Sequence, residues 1–567
     1  MTRATIVLFC TALSACGSES ASESAADLPG GTDSGGQTAT GGGSINSASD
    51  ASSGAGSNPD EAGSETTAVG PDDDSGDTGE TGSEDPSKAM PAGIPTPSFG
   101  YLHESDLEPT IYVDNTDPGC SDAGGSADTP LCDLFAGSNS ATYNAGDVVS
   151  ILGGTYIIGS DKTLTLDGTE DNPVIVRAAD GTSVRFDAQG DRADFTYEGQ
   201  FGIIEGVDFF HGTSHRVASD AHHLVFRRIE VHNPEGAFID FNPVFNVSGH
   251  DILIYQSMIY DNRRNNDTDS HGIQAGSGSS YVWILDNEMY NNNGDSFQAC
   301  HNCFDDPPHH VFIGRNVMHE DRENGVDLKT IHDVVVSENL MYGYGSSETS
   351  NGDAMVIGSN GYDASTGQGP RRVWVLNNEF RDSATGIRIE GVEDVWIFGN
   401  VFTGLRQGLQ VDNKQYQNIV ITSNTMDDLE AGVYSWNNSC SADSVTITNN
   451  LISNVSGHHL ELPNCDNLTV GSNLFWDSMS VRIGGQNFDT AAALDTQAYA
   501  SNHLDVDPQF INDSLVPSAA SPAFDGGTDI EALLAELEAA YDGDAHCDLA
   551  GQPRPTGAAA DIGAYEQ

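Results

Sequence analysis

An asparagine recurs along this chain at nearly regular intervals, each time after a short apolar run that reads as a strand. Val282–Leu285 is one such run, and Leu, Ile, Met or Phe follows the asparagine one or two residues later. The copies are Asn287, Asn316, Asn339, Asn378, Asn400, Asn424, Asn450 and Asn473, and their spacings are 29, 23, 39, 22, 24, 26 and 23 residues. A period near 23 without helical periodicity predicts a solenoid in which each repeat is one coil.

A second short strand, introduced by a glycine, lies between successive asparagines, as in Gly325–Lys329, Gly386–Glu390 and Gly408–Asp412. The inward residues of such a coil can be buried only against the coils above and below it. Asparagine suits a tight turn with αL geometry, and stacked amides can hydrogen-bond along the solenoid axis. We therefore expect an apolar interior with an asparagine ladder at one corner.

These repeats resemble the right-handed parallel β-helix of the pectate-lyase-like superfamily over roughly residues 110–515. The segments Ile111–Asn115 and Gly153–Tyr156 also resemble the opening of many secreted β-helix proteins. The resemblance implies an all-β fold, a single-stranded right-handed parallel β-helix. We assign residues 96–515 to this solenoid.

The remaining residues, 516–567, predict a capping segment. Asp529–Tyr541 has apolar residues at helical spacing, and we expect this short helix to cover the open end of the solenoid and prevent edge-to-edge association. Gly551–Pro555 and Asp561–Glu566 are similar to the closing segment of surface-anchored β-helix proteins.

The chain is strongly acidic, with 22 Lys plus Arg against 85 Asp plus Glu and a net charge of −63. Residues 16–95 are rich in Gly, Ser and acidic residues and nearly free of aliphatic and aromatic ones, which predicts a disordered tether. The net charge of this tether is −14, and the net charge of the residues after it is −50. Such acidity disfavours nucleic acid and anionic membrane surfaces as partners, and an anionic polysaccharide requires a bound cation.

Residues 1–15 have the charge and length of a secretory leader, with Arg3 followed by the apolar run Ala4–Leu13. The sequence Leu13–Cys16 resembles a bacterial lipobox, which implies lipidation of Cys16. Gly17 resembles the sorting signal of outer-membrane lipoproteins. We expect a monomeric lipoprotein of the bacterial outer membrane or cell surface; the alternative is an ordinary leader with a chance cysteine.

The cysteine content agrees with an oxidising compartment. After removal of the leader and lipidation cysteines, seven remain. The expected disulfides join Cys120 with Cys132, Cys300 with Cys303 and Cys440 with Cys465, which leaves Cys547 as a free thiol. Spacing alone does not fix this connectivity.

The second strands suggest where a site lies. Aligning the coils on their glycines places Lys329 beside Gln298 and Glu390, and Asp327 beside Arg388. Because side chains alternate along a strand, all of these residues point away from the core. Lys329 is one of four lysines in the chain, so its place among carboxylates makes it a candidate base for abstracting the C5 proton of a uronate. The alternative is a surface ion pair between Lys329 and Asp327.

Gly325–Lys329, after an acidic turn, resembles the active-site coils of β-helix polysaccharide lyases. The resemblance implies that calcium neutralises the uronate carboxylate and that Lys329 or Arg388 acts in β-elimination, with Asp327, Glu390 and Gln298 contacting substrate. The closest alignment places the family's base on Asp327, two residues before Lys329. The candidate calcium ligands are Asp295, Asp321, Glu323 and Asp327. The alternative is a solvated acidic face.

The insertion between the first two repeats contains Cys300, Cys303, His309 and His310. These residues can be interpreted as a zinc site, but a disulfide is favoured in a secreted chain. We expect His309 and His310 to contact substrate. The chain lacks the Gly-His-Gly and Arg-Ile-Lys motifs of pectinase-type hydrolases, so hydrolysis ranks below elimination.

Two functions therefore remain open. One is a calcium-assisted lyase that binds and cleaves an acidic polysaccharide. The other is a non-catalytic surface β-helix for adhesion, carbohydrate binding or envelope structure.

Overall fold

The computed structural model describes residues 90–101, 107–233, 243–262, 269–346, 350–358, 369–411, 415–435, 441–462, 467–512 and 514–567. Strands of successive coils pair in parallel register and form three sheets, here called A, B and C. Among the strands of the described residues, a single antiparallel pair joins Val481–Ile483 to Gln486–Phe488. The molecule is thus the parallel β-helix that the repeat predicts.

Sheet A contains the strands that end just before the repeated asparagine. Its strands are Ile111–Val113, Val148–Ile151, Val174–Ala178, the second half of Ala193–Glu205, His222–Arg227, His250–Tyr255, Ser280–Leu285, His309–Gly314, His332–Ser337, Arg371–Leu376, Glu393–Phe398, Gln415–Thr422, Ser441–Thr448, Leu468–Gly471 and Ala500–Ser501.

Sheet B follows the asparagine, and sheet C completes the coil. Sheet B comprises Gly154–Ile157, Val184–Asp187, Val207–Phe210, Glu230–His232, Met258–Tyr260, Glu288–Tyr290, Val317–His319, Leu340–Tyr342, Glu379–Arg381, the first parts of Val401–Val411, Thr425–Ser435 and Leu451–Leu462, and Leu474–Phe475. Sheet C comprises Ser140–Asn144, Lys162–Asp167, the first half of Ala193–Glu205, Thr213–Val217, Phe245–Val247, Ile273–Ala275, Phe297–Ala299, Val326–Leu328, Asp353–Gly358, Thr385–Glu390, the second parts of Val401–Val411, Thr425–Ser435 and Leu451–Leu462, and Val481–Ile483.

The interior is filled by apolar side chains that stack from coil to coil. In sheet C the stacked inward residues, each with 0% exposure, are Ile273, Phe297, Val326, Met355 and Ile387. One continuous apolar core runs along the solenoid because every coil buries its inward residues only against its neighbours.

The predicted asparagine ladder lies at the corner between sheets A and B. From Asn287 to Asn473, each side-chain Nδ2 donates to the Oδ1 of the next asparagine at 2.9–3.0 Å. The αL residue is the one before the ladder asparagine, for example Asp286 with φ 55° and Arg315 with φ 50°. The preceding residue therefore makes the sharp turn, and the asparagine side chain points inward into the stack.

A second ladder, at the corner between sheets B and C, was not anticipated from the repeat. Asn233 Nδ2 donates to Asn262 Oδ1 at 2.6 Å, and Asn262 Nδ2 donates to Asn292 Oδ1 at 2.8 Å. Asn292 Nδ2 then donates to Asp321 Oδ1 at 3.0 Å. A buried aspartate thus occupies the last position of this row.

Over its central coils, sheet A is buried on both faces. Its outward residues include Trp283, Phe312 and Trp374, which pack against residues 90–101 and against a helix, Glu531–Tyr541. A second, shorter helix is Ala491–Leu494. The helix predicted near the C-terminus is present, but its expected position over the open end of the solenoid is wrong. It lies along the flank, where Leu534 and Leu537 are buried against the outward apolar residues of sheet A.

Residues 90–95, which the sequence places in the tether, are packed on this flank. Ile94 is 1% exposed, the Gly93 backbone N–H donates to Asp544 O at 2.7 Å, and Trp283 Nε1 donates to Pro95 O at 2.8 Å. The leader, Cys16 and the tether up to residue 89 lie outside the described residues. Neither helix of the described part is long and apolar enough to cross a membrane.

The structure resolves part of the cysteine pairing. Cys120 is bonded to Cys132 and Cys300 to Cys303, as predicted. The expected Cys440–Cys465 pair lies outside the described residues. The prediction that Cys547 is a free thiol is wrong, since Cys547 is disulfide-bonded. Spacing could not reveal this because the partner of a cysteine depends on the fold.

Candidate functional site

The outer face of sheet C carries the predicted site residues, with a corrected register. Gln298 pairs with Asp327, Asp327 with Val356, and Val356 with Arg388, so Asp327 rather than Lys329 lies beside Gln298. The register predicted from the sequence is therefore displaced by two residues on the coils of Asp327 and Arg388, so that Asp327 and Arg388 share a column as predicted but with Gln298. Because side chains alternate along a strand, a register shift of two residues leaves each side chain on the same face of the sheet. The prediction that Asp327 points away from the core is therefore confirmed.

The side chains around Asp327 are far more buried than outward residues of a solenoid usually are. Asp295 is 0% exposed, Asp327 6% and Gln298 4%. Burying charged groups is costly unless they are paired or ligate a cation. A desolvated group of charges on an outer sheet face marks this region as a candidate site.

Lys329 and Asp327 form an ion pair within this group, with 3.0 Å between Nζ and Oδ2. The other carboxylate oxygen, Asp327 Oδ1, is buried and accepts no hydrogen bond from the described residues. Burial and the charge of Asp295 raise the pKa of Asp327 to about 6, against the opposing effect of Lys329. Burial lowers the pKa of Lys329, but Asp327 and Asp295 outweigh it and hold that pKa above its ordinary value.

Asp295, a predicted calcium ligand, lies at the centre of the group. Its Oδ1 accepts from Asn324 Nδ2 at 2.7 Å, and its Oδ2 accepts from Gln298 Nε2 at 3.0 Å and lies 3.0 Å from His271 Nδ1. Burial raises the pKa of Asp295, but His271 and Lys329 outweigh this effect and leave the pKa below its ordinary value. The Asp295 backbone N–H also donates to His271 Nδ1 at 2.9 Å, so Asp295 fixes the imidazole ring through both its backbone and its carboxylate.

Glu323, another predicted ligand, lies next to two residues that the sequence analysis missed. Ligand atoms of Asp269, His271 and Glu323 lie within 4.8 Å of one another. Burial and the charges of Asp295 and Asp269 raise the pKa of Glu323 to about 7. Arg322 contacts Asp269, with 2.7 Å between Nη2 and Oδ1. These carboxylates repel one another and offer hard oxygen donors to a divalent cation.

Asp321, also predicted as a calcium ligand, lies outside the cluster of Asp269, His271 and Glu323, and its hydrogen bonds do not favour that prediction. It is the last member of the second ladder: its Oδ1 accepts from Asn292 N at 2.7 Å, and its Oδ2 accepts from Ser296 Oγ. Burial raises the pKa of Asp321 to about 7. Its carboxylate is occupied by structural hydrogen bonds because it takes the place of a ladder asparagine.

Arg388 and Glu390 lie two coils beyond Asp327 on the same face. Arg388 Nε lies 2.5 Å from Asp353 Oδ2, and Arg388 Nη1 also contacts Glu390 Oε1. Asp353 is 0% exposed, and its Oδ1 accepts no hydrogen bond from the described residues. Burial lowers the pKa of Arg388, but Asp353 and Glu390 outweigh it and raise that pKa. This guanidinium is therefore a fixed cation rather than a base.

His309 and His310, predicted to contact substrate, begin a strand of sheet A instead. His309 stacks on His332 with 5.1 Å between ring centroids, and His310 stacks on Tyr281 at 4.6 Å. The structure therefore does not bring them to Lys329. The alternative zinc site is also excluded for Cys300 and Cys303, because these cysteines are bonded to each other.

The sequence carried one signal for the missed residue His271. Ser270–Gly272 occupies the same position before its strand as Gly294–Ser296 does one coil later. His271 and Asp295 therefore lie in one column. Aligning the buried strand residues Ile273 and Phe297 is enough to reveal this from the sequence. The sequence does not predict that Asp269 and Asp353 lie near the site, because their positions depend on the conformation of the turns between strands.

Comparison with known proteins agrees with the fold. Residues 309–490 match the family described as the right handed beta helix region. Together with the three parallel sheets, this match confirms the predicted right-handed parallel β-helix.

Individual relatives are distant. A stretch of 91 residues is 35% identical to pectate lyase PEL9 of Emericella nidulans, covering 16% of this chain and 21% of that protein, so the chain spans about a fifth of this curated relative. The crystal structure of pectate lyase Pel9A is 16% identical with a TM-score of 0.41, covering 82% of this chain and 98% of Pel9A. The polysaccharide lyase Pedsa3628 of Pseudopedobacter saltans is 12% identical with a TM-score of 0.42, covering 68% and 96%.

Proposed function

We propose that the outer face of sheet C around Lys329 binds an acidic polysaccharide and cleaves it by calcium-assisted β-elimination at a uronate. The observation that carries this proposal is the buried group of Asp295, Asp327 and Lys329, in which Asp327 Oδ1 has no hydrogen-bond donor among the described residues. Charged side chains that are buried despite the free-energy cost of desolvation are typical of a functional site.

The candidate cation site is next to this group, where Asp269, His271 and Glu323 place ligand atoms within 4.8 Å of one another. A divalent cation there would relieve the repulsion between the Glu323 and Asp269 carboxylates, and Asp327 offers a further carboxylate oxygen, its buried Oδ1, on the same outer face. Asp295 contributes charge, while its oxygens already accept bonds from Asn324 and Gln298. Calcium bound at these residues would neutralise the uronate carboxylate and so make the adjacent C5–H more acidic.

Lys329 Nζ is the candidate base for the C5 proton. Asp327 and Asp295 hold it as an ammonium ion, so it can accept a proton only when their negative charge is compensated. Arg388, fixed by Asp353 and Glu390, supplies a positive charge that orients a neighbouring carboxylate of the polymer. Gln298 lies beside Asp327, but its buried amide accepts from Gln274 Nε2 at 3.2 Å and donates to Asp295 Oδ2 at 3.0 Å, so it positions Asp295 rather than contacting substrate as the sequence predicts.

The test is an assay for the unsaturated ends that elimination creates, read by ultraviolet absorbance on pectate, alginate and glycosaminoglycans in calcium. We expect product with at least one polymer, loss of product on chelation, and loss in Lys329→Ala. Absence of product with every polymer in calcium contradicts the catalytic proposal.

The second candidate function is non-catalytic binding of the same polymers at the cell surface. It is favoured by the ion pair between Lys329 and Asp327, which engages the amine that a lyase would need as its base. Retention of a polymer on the immobilised protein without unsaturated product would select this function.

We also propose that Cys16 is lipidated and that the protein is held at the bacterial cell envelope, with its outer membrane or surface as the destination. The support is the sequence Leu13–Cys16. Labelling of the full chain with a fatty acid should be lost in Cys16→Ala, and retention of the label in that variant contradicts the anchor.

A further inference from the structure

An exposed phenylalanine follows the disulfide next to the charged group. Phe304 is 45% exposed, and its ring stacks on no other aromatic ring of the described residues. The other exposed aromatic residue of the described part, Tyr281, is used differently, because it stacks on His310 at 4.6 Å between centroids. Phe304 thus presents an apolar ring to solvent beside a polar site.

The chain path places Phe304 close to Lys329. The Cys300 N–H donates to Ala275 O at 2.9 Å, and the Thr330 N–H donates to Cys300 O at 3.2 Å, so Cys300 is the coil neighbour of Lys329. The disulfide holds the Cα atoms of Cys300 and Cys303 5.9 Å apart. Phe304 comes next, so its Cα lies within about 10 Å of that of Cys300.

The loop is fixed on its far side as well. Asp306 O accepts from Gly278 N at 2.9 Å and from Ser277 Oγ at 3.1 Å. With the disulfide at one end and these bonds at the other, Phe304 occupies a short, constrained segment. A constrained aromatic side chain loses little conformational freedom when a ligand covers it.

His301 lies in the same loop. Burial and then the charge of Lys329 lower its pKa, so its imidazole is neutral at neutral pH. The effect of Lys329 on this pKa is a second indication that the loop borders the charged group. A neutral imidazole both donates and accepts hydrogen bonds, as sugar hydroxyls do.

We propose that Phe304 is a sugar-stacking subsite of the acidic-polysaccharide site, in which the ring packs against the C–H face of a pyranose and His301 binds a hydroxyl of the same residue. The occupant is a neighbouring unit of the chain whose uronate lies at Lys329. Sugar rings combine apolar C–H faces with polar edges, and a lone exposed ring beside fixed charges offers both kinds of contact. This inference rests on the proposed function.

The test is equilibrium binding of defined oligogalacturonates and oligoalginates by titration calorimetry, in a Lys329→Ala background so that chains stay intact. Phe304→Ala should weaken binding about three- to tenfold, the range expected for one aromatic contact. Phe304→Trp should restore it. Ile511→Ala, which removes another exposed apolar side chain, should leave the affinity unchanged.

The outcomes separate the two proposals. If, in the Lys329→Ala background, the protein with Phe304→Ala binds the oligosaccharides as tightly as the protein with Phe304, the subsite proposal is wrong and the proposed function is unaffected. Binding that depends on Phe304, without unsaturated product from the protein carrying Lys329, supports the subsite and removes the lyase. If the Lys329 protein neither binds nor cleaves any of these chains, both proposals are wrong.

Discussion

Lys329 Nζ lies 3.0 Å from Asp327 Oδ2, two residues away on the same outer face of sheet C. The amine of Lys329 is thus paired with the carboxylate that lies beside Gln298 on the previous coil. The chemistry of the site therefore depends on what compensates the charge of Asp327.

Replacing Lys329 should abolish product formation. Lys329→Ala removes the candidate base and leaves Asp327 buried without its ion-pair partner, so we also expect lower stability. The matched control is Lys162→Ala, whose Nζ donates to Ser138 O far from the site along the chain. Equal loss of activity in both variants would contradict a specific role for Lys329.

Calcium should raise the melting temperature through the carboxylates of the site. Asp327→Asn and Glu323→Gln each remove a candidate ligand, so the calcium-induced shift should fall by at least half in either variant, measured by differential scanning calorimetry. Asp305→Asn, an equal charge change on an exposed loop residue, should keep the full shift. A shift of the same size in all variants would place the cation elsewhere.

The stability contributed by Glu323 should fall as pH rises. Its folded pKa of about 7 exceeds the ordinary 4.5, so between these values the folded protein holds a proton that the unfolded chain releases. The contribution is therefore complete below the unfolded pKa and lost as pH rises through 7. Between acidic and neutral pH, the free energy of unfolding measured by denaturation should decline less in Glu323→Gln than in the protein with Glu323. An equal decline in the two proteins contradicts the raised pKa.

Asp321 should tolerate asparagine but not alanine. An asparagine at this position would keep an acceptor for the Asn292 N–H, now 2.7 Å from Asp321 Oδ1, whereas alanine leaves that buried donor unpaired. We expect Asp321→Ala to lower the free energy of unfolding by about 2–4 kcal/mol and Asp321→Asn by less than about 1 kcal/mol, measured by urea denaturation. Neither variant should change calcium affinity, and loss of affinity in Asp321→Asn would restore Asp321 as a ligand.

Loss of an asparagine from the middle of the first ladder should destabilise the protein as much as Asp321→Ala does. Asn378 accepts from Asn339 N at 2.9 Å and donates to Val336 O at 2.9 Å and to Asn400 Oδ1 at 2.9 Å. Asn378→Ala should cost about 2–4 kcal/mol of unfolding free energy. Asn487→Ala, at an exposed position, should stay within about 0.5 kcal/mol. Similar costs for the two variants would mean that the ladder adds no stability.

The sequence predicted the fold from one residue type. Eight asparagines at a period near 23 predicted the coils, and the ladder from Asn287 to Asn473 confirms them. The outward face of Asp327 and Lys329 also followed from the sequence, because strand alternation survives a displacement of two residues. These features are local or periodic, so a single sequence contains them.

Only the tertiary structure decided which residues meet. Asp321 and Glu323 look equivalent in the sequence, yet the first ends an interior ladder and the second joins the charged group. His271 reaches Asp295 from the previous coil, and the Glu531–Tyr541 helix packs on a flank rather than an end. The sequence by itself determined the repeat and the face of each strand residue, since both depend on short-range geometry. The register between coils and the turn at each corner depend on packing across the whole cross-section, and these decided the composition of the site.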